Sequence, residues 1–266
     1  MEYRPVVTLT TDFGSKDPFV AIMKGVILNI NPSVQMFDIT HDISPQNIME
    51  AAFILEMSFR SFPHKTVHVA VVDPGVGSER RPLIVATDYH YFVGPDNGVF
   101  SRICNVSESL EVIHVTSEHY FLPQRSTTFH GRDVFAPIAA WLSKGINITK
   151  FGDHISDYTT LPMPVPSMPV NNVIEGEVIY IDRFGNLITN IESRKIDDFC
   201  SNNPCENLKV VVKEKEATLR KYYSEAEDKR LHSLLNSFGY LELFVNGGSA
   251  SSELGVTVGE KVRVIT

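Results

Sequence analysis

An aspartate on a glycine loop, an arginine seven residues later and a histidine ahead of a distant helix bring a carboxylate, a guanidinium and an imidazole, groups able to bind a small molecule and move protons. Asp73 follows an apolar run, Thr66 to Val72, that reads as a buried strand, and it opens the segment Asp73-Pro74-Gly75-Val76-Gly77-Ser78-Glu79-Arg80-Arg81. A carboxylate therefore sits at the carboxyl end of a strand, the edge at which open α/β sheets bind ligands, and glycines there let backbone N–H groups approach closely. Thr128-Phe129-His130-Gly131-Arg132-Asp133 places an imidazole just before an apolar helical pattern that runs from Val134 to Leu142. Groups on separate loops of this kind can converge.

Asp12, in Thr10-Thr11-Asp12-Phe13-Gly14, ends the first apolar strand at the same sheet edge as Asp73. A carboxylate there either accepts hydrogen bonds from ribose hydroxyls or caps the following turn, and spacing does not choose between the two. Asp38, His41 and Asp42 form a second cluster that, with Asp12, Asp73 and His130, could assemble a hydrolytic metal site; they read equally as turn residues ahead of a capped helix. Asp182-Arg183-Phe184-Gly185-Asn186 joins two strands: Phe184 could stack on a planar base while Asn186 reads its edge, or the segment is an ordinary hairpin turn. Asn246-Gly247-Gly248-Ser249 has the same two readings. No GxGxxG, GxxxxGK[ST] or GxSxG pattern occurs, which removes the usual support for nicotinamide, triphosphate and serine-hydrolase chemistry.

The elements that must position these groups fall into two parts. Val6 to Thr10 is a short strand, Asp17-Pro18 predicts an N-cap with proline at the first helical position, and Phe19, Ile22, Met23, Val26, Ile27 and Ile30 follow at helical spacing. Asn31-Pro32 stops that helix, Val34 to Thr40 returns as a strand, and Ser44-Pro45 predicts a second helix to about Arg60. With the strand ending at Asp73 this βαβαβ order predicts a doubly wound, mostly parallel layer. Leu83 to Thr87 and Tyr91 to Val93 add strands. The prolines at 162, 164, 166 and 169 predict an extended linker over 161–172, between an α/β domain at 1–160 and a second domain at 173–266. Beyond it, short alternating strands at Gly176 to Ile181, Leu187 to Glu192, Leu208 to Val212, Tyr240 to Val245 and Lys261 to Ile265 predict a small antiparallel barrel, with Lys213 to Arg230 as a solvated strand pair and loop.

With 266 residues and 43% apolar content the chain can bury a large core, and its net charge of −8 argues against non-specific nucleic-acid binding. The opening Met1-Glu2-Tyr3-Arg4-Pro5 lacks signal-peptide character and no apolar run reaches membrane-spanning length, so the expectation is a cytoplasmic enzyme without a membrane partner. Cys104, Cys200 and Cys205 are three in number and lack a paired metal-ligand spacing, which points to structural thiols.

Taken in order, TTDFGSKD at Thr10 to Asp17, DPGVGSER at Asp73 to Arg80, FHGRDVFAP at Phe129 to Pro137 and IDRFGNLITNI at Ile181 to Ile191 resemble the S-adenosylmethionine hydroxide adenosyltransferases, hydrolytic relatives of fluorinase and chlorinase. The resemblance covers almost the whole chain. It implies an α/β amino-terminal domain, a β-barrel carboxyl-terminal domain, a homotrimer with its active site between subunits, and hydrolysis of S-adenosyl-L-methionine (SAM) to adenosine and L-methionine, with SAM as the substrate and no cofactor or metal. It further implies a catalytic set at Asp73, Arg80 and His130, with Arg81 the rival to Arg80. Asp12 is implied at the ribose hydroxyls, Phe184 and Asn186 at adenine, Asp182 at the methionine amino group, and Ser237 and Asn246 along the same pocket; Asp17 joins Asp12 and Asp182 in an acidic pocket for a cation. Phe238 stands where the halogenating relatives have a basic residue, which leaves the methionine carboxylate without an assigned contact. Other classes are a metal-dependent hydrolase built on Asp38, His41 and Asp42, a non-catalytic binder of adenosine or SAM, and, more remotely, a halogenase.

Overall fold

Every residue of β1 (Val6–Thr11) is buried, as expected of a strand covered on both faces. The computed structural model describes residues 4–202 and 208–266, in two units, Met1–Pro162 and Met163–Thr266. In the first unit β1 is followed by α1 (Phe19–Ile30), β2 (Gln35–Thr40), α2 (Ile48–Phe59), β3 (Val67–Val71), β4 (Pro82–Thr87), β5 (Tyr91–Pro95), α3 (Ser101–Val106), β6 (Leu110–Val115), α4 (Ala136–Ser143) and β7 (Gly152–His154). The sheet order is β2-β1-β3-β5-β4-β6-β7. The first four strands pair in parallel, whereas β4, β6 and β7 join antiparallel.

Alternation along β3 shows how both faces are covered. Val69 and Val71 pack with Met23 and Ile27 of α1 and Ile138 of α4, while Ala70 and Val72 pack with Leu55 of α2 and Ile103 of α3. Two helix starts differ from the sequence expectation. Pro18 takes φ −77° and ψ 2°, outside the helical well, so α1 begins at Phe19 and Asp17 makes no capping hydrogen bond. The helix expected from Ser44-Pro45 begins only at Ile48, because Gln46 has φ +65°; Asn47 is the cap, its side chain accepting from the Glu50 N–H at 3.1 Å.

The second unit contains β8 (Ser167–Val170), β9 (Val173–Ile181), β10 (Leu187–Glu192), α5 (Ser193–Asn202), β11 (Lys209–Val212), β12 (Lys215–Leu219), β13 (Leu231–Leu235), β14 (Tyr240–Val245), α6 (Ala250–Leu254) and β15 (Lys261–Ile265). The pairing β10-β14-β13-β12-β11-β15-β9 returns to β10, which closes a seven-stranded barrel; β8 lies outside it on β9. Ile174, Val178, Leu187, Leu241, Leu243 and Val264 fill the interior. The proline-rich stretch is thus not wholly a linker: Ser167–Val170 is a strand, and Pro169 is tolerated because that strand lies at an edge. Nor is Lys213 to Arg230 a wholly solvated loop. Its second half crosses the outer face of β14, where the Tyr223 ring meets Phe244 at 4.9 Å and Ala226 is buried.

Cys104 is a free, part-buried thiol, Cys200 is disulfide-bonded, and Cys205 lies outside the described residues. No helix among the described residues is long and apolar enough to cross a membrane.

A polar chain runs inside the first unit. Thr8 Oγ1 lies 2.7 Å from His68 Nδ1, and His68 Nε2 lies 3.4 Å from His90 Nδ1, with the His68 ring stacked on Phe92. Burial and the neighbouring imidazole push His68 down to about 3; burial and His64 push His90 down to about 4. Both rings are neutral when folded, but the unfolded chain protonates them as pH falls through 6.5. Stability should therefore be flat above neutrality and decline on acidification, by about 2 kcal/mol per imidazole at pH 5. Urea unfolding of the wild type and of His68→Met at pH 7.5 and pH 5 checks this: the variant should lose about 2 kcal/mol of the pH dependence, and an unchanged slope would refute the assignment.

Candidate active site

Two successive turns fold the chain back at the end of β3. The Val76 N–H donates to Asp73 O at 3.2 Å, and the Ser78 N–H and Oγ donate to Gly75 O at 3.0 and 2.7 Å. This reversal brings Arg80 onto Asp73: Arg80 Nε donates to Asp73 Oδ1 at 2.6 Å and an Arg80 terminal nitrogen donates to Asp73 Oδ2. The same terminal nitrogen lies 2.9 Å from His130 Nδ1. The pair is buried, with side-chain exposures of 8% for Arg80 and 5% for Asp73, and the guanidinium lies 5.4 Å from the Phe135 ring centroid. Arg81, the rival, is occupied elsewhere; it donates to Asp96 Oδ2 at 2.8 Å and to Asp157 Oδ1 at 2.9 Å.

The loop carrying His130 is held at both ends. Asp133 is fully buried and its Oδ2 accepts from the Ser126 N–H and hydroxyl at 2.8 and 2.9 Å, while the Phe129 N–H donates to Ser126 Oγ at 3.1 Å. A single π turn, Gly131–Phe135, then leads into α4, an irregularity often found where a helix presents a functional group. Gly77, at φ +80°, makes the close approach of the two loops possible, since a Cβ there would lie 2.3 Å from Thr127 O. Burial and the adjacent Arg80 lower the His130 imidazole below its ordinary 6.5, against the opposing pull of Asp73 and Asp133.

Asp12 arrives at the same edge because β1 pairs with β3, Thr11 opposite Val71. Its Oδ2 accepts from the Gln46 N–H at 2.9 Å, a donor aimed by the positive φ of that residue. Phe13, Phe19 and Phe129 meet edge to face or tilted, with centroids 5.2 to 6.0 Å apart, and so brace the Asp12 loop against the His130 loop. Sequence reasoning missed this clasp, although aromatics flanking Asp12 and His130 were its visible signal. Asp17 is exposed. The supposed metal cluster is only a pair: Asp38 bonds Lys24 at 2.6 Å and lies 3.0 Å from His41, Asp42 is exposed, and no group of three or more His, Cys, Asp or Glu among the described residues is arranged to hold a metal.

The second unit gathers its own set. Asp182 Oδ1 accepts from the Phe184 and Asn186 N–H groups, each at 2.9 Å, and its Oδ2 accepts from Asn186 Nδ2 at 3.0 Å; Phe184 is 76% exposed. Gly185, at φ +82°, packs this turn on Ser249, where a Cβ would lie 2.0 Å from the hydroxyl. Asn246 follows β14 at that same end, because Leu187 pairs with Leu243, and its side chain donates to Ala226 O. Ser237 lies just ahead of the same strand. It is exposed in the turn before Tyr240, at the opposite end of β14, beside the exposed Phe238.

Between the two ends lies Glu242, which strand alternation alone does not single out. It is 3% exposed and accepts from the Tyr223 hydroxyl at 2.6 Å and from Asn236 Nδ2 at 3.1 Å. Burial, above all, raises its carboxyl, and the charge of Asp182 adds to the effect. Neither Asp182 nor Glu242 forms an ion pair among the described residues, so a positively charged ligand is electrostatically favoured here.

Breaking one partner of a buried ion pair leaves an uncompensated charge. Arg80→Met should therefore lower stability by about 3–5 kcal/mol, and Asp73→Leu/Arg80→Met should recover part of that loss. Urea unfolding of the four proteins in the cycle tests this; strictly additive losses would count against the coupling.

Residues 7–152 match the SAM hydroxide adenosyltransferase N-terminal domain, and residues 176–263 match the C-terminal domain of the same name. An (R)-S-adenosyl-L-methionine hydrolase of Methanocaldococcus jannaschii is 33% identical over 273 residues, spanning 98% of this chain and 95% of its own. One of Thermus thermophilus is 34% identical over 269 residues, spanning 98% and 100%. A fluorinase of Actinopolyspora mzabensis is 25% identical over 292 residues, spanning 98% and 97%. The crystal structure of an uncharacterized conserved protein from Thermotoga maritima superposes with a TM-score of 0.91 at 35% identity, covering 98% of this chain and all of that one.

Proposed function

The chain belongs to the SAM hydroxide adenosyltransferase family, and from that premise we propose that it hydrolyses S-adenosyl-L-methionine to adenosine and L-methionine. The observation that carries this reading is a single guanidinium, Arg80, shared by Asp73 and His130 at the ligand edge of the sheet. The (R)-specific names of the similar hydrolases support the (R) epimer at sulfur as the form consumed.

Water attacks the 5′ carbon, the new C–O bond forms as the C–S bond breaks, and the electron pair of that bond stays on sulfur. The sulfonium thus leaves as the neutral thioether of methionine, and this step requires neither a general acid nor a metal or cofactor. The demand falls on the nucleophile. Arg80 donates to His130 Nδ1, which assigns the neutral ring's proton to Nε2, so His130 fixes the guanidinium on one side and offers an N–H to the water on the other. Asp73 keeps lone pairs beyond those Arg80 occupies and accepts the proton that the water loses; Arg80 stabilises the developing hydroxide. Alignment of water, carbon and sulfur can recover roughly 7 to 11 kcal/mol of the barrier.

Asp12 would accept from the ribose hydroxyls. The exposed Phe184 ring and Asn186 would hold adenine with Asn246 beside them, Asp182 would hold the methionine amino group with Glu242 reinforcing its field, and Ser237 would serve the amino-acid end. Asp17 would add negative potential. Each unit supplies only part of this set, and the family resemblance supports a homotrimer in which neighbouring subunits complete one another's sites. The same resemblance supports a cytoplasmic location and no nucleic-acid or membrane partner.

Turnover in oxygen-18 water should place the label in adenosine, and label absent from adenosine would refute the displacement. Asp73→Asn should lower kcat on the order of 10²- to 10⁴-fold with KM changed only a few-fold, whereas an equal loss of binding and turnover would argue against Asp73 as proton acceptor. Because protonated His130 cannot accept from Arg80, kcat/KM should hold as pH falls to 6.5 and drop only at more acid pH. A pH profile of wild type against His130→Gln measures this.

A further inference from the structure

The Asp38, His41 and Asp42 segment has no part in the reaction derived above, yet its histidine is bonded directly to the residue before Asp12. His41 Nδ1 lies 2.9 Å from Thr11 Oγ1, and Thr11 Oγ1 accepts from the Phe13 N–H at 3.3 Å. The Gly14 N–H donates to the His41 carbonyl at 2.8 Å. One residue of the β2–α2 connection thus grips both sides of Asp12 by side chain and main chain, while Gln46, further along the same connection, donates to the Asp12 carboxylate at 2.9 Å.

Hydrogen-bond roles fix the chemistry. Asp38 Oδ1 lies 3.0 Å from His41 Nε2, which assigns the ring proton to Nε2 and leaves Nδ1 to accept the Thr11 hydroxyl proton, while Thr11 Oγ1 accepts from Phe13. The Nε2 contact is electrostatic, outside hydrogen-bond alignment. Asp38 is itself anchored by Lys24 of α1 at 2.6 Å. The ring is thus steered from behind by a carboxylate and offers a fixed acceptor to Thr11.

We propose that His41 is a positioning residue for ribose recognition: through Thr11 and Gly14 it holds the 11–14 segment so that the Asp12 carboxylate, tethered by Gln46 on one oxygen, presents the other to the ribose hydroxyls. This rests on the assignment of Asp12 to the ribose. His41 does not touch the reacting atoms, so its loss weakens binding of the nucleoside end and spares the displacement step. An asparagine at this position keeps an acceptor where Nδ1 stands, whereas a phenylalanine keeps only the bulk.

The test is calorimetric binding of adenosine and of 2′,3′-dideoxyadenosine, with SAM kinetics, for wild type, Asp12→Asn, His41→Phe, His41→Asn, Thr11→Val and the double variant Thr11→Val/His41→Phe. His41→Phe should weaken adenosine binding and raise KM about tenfold, leave dideoxyadenosine binding and kcat within about twofold, and do no further harm on the Thr11→Val background. His41→Asn should restore adenosine binding to within about threefold of wild type. If His41→Phe fails to fold, Thr11→Val carries the same expectation. The inference is overturned if His41→Phe weakens both nucleosides equally, if its effect falls on kcat, or if His41→Asn is as impaired as His41→Phe. If Asp12→Asn leaves adenosine and dideoxyadenosine binding unchanged, the ribose assignment itself fails, an outcome distinct from failure of the His41 relay.

Discussion

The geometry of the first unit's site depends on one buried guanidinium with two acceptors. Arg80 pairs with the buried Asp73 through two hydrogen bonds and with the same terminal nitrogen orients the His130 ring. That arrangement needs two loops within hydrogen-bond reach, and each local feature around it serves the approach. Gly77 removes the atom that would strike Thr127, Asp133 ties the histidine loop to Ser126, and Phe13, Phe19 and Phe129 lock that loop to the end of β1. The sheet supplies the common origin, because β1 and β3 are neighbours and deliver Asp12 and Asp73 side by side.

The alternation of apolar runs and helical spacing carried the architecture up to β3, since burial on both sheet faces leaves a pattern that periodicity reads directly. Boundaries set by backbone conformation were less visible. Neither the ψ of Pro18 nor the positive φ of Gln46 is written in residue type, and each delays a helix by altering a single residue. Strand β8 was hidden by its proline, which argues against a strand except at an edge, and edge position is a property of the assembled sheet. Among site residues, Asp73, Arg80 and His130 were legible because they punctuate element ends. Glu242 and Tyr223 were not: one lies inside a strand and the other in a charged stretch, and only the fold of 221–230 over β14 makes them partners. The distance between Ser237 and the Phe184 turn likewise depends on register, which composition does not specify.

The two units arrange their carboxylates by different means. In the first, negative charge is balanced internally, so that Asp73 enters the site already paired and aligned. In the second, Asp182 and Glu242 lack an ion-pair partner among the described residues, and Asp182 spends its hydrogen bonds on shaping its own turn. A rigid, prepaid electrostatic field of this kind favours ligands whose positive charge replaces the missing counterion.

Closure of the seven-stranded ring has an evolutionary corollary. Every wall strand finds both neighbours within the ring, so the connections at the rim contribute little to holding it together. The turns at 182–186 and 236–239 can consequently diverge, lengthen or exchange side chains while the wall persists. Descendants of such a scaffold can change which molecules they admit without first surrendering their foldedness.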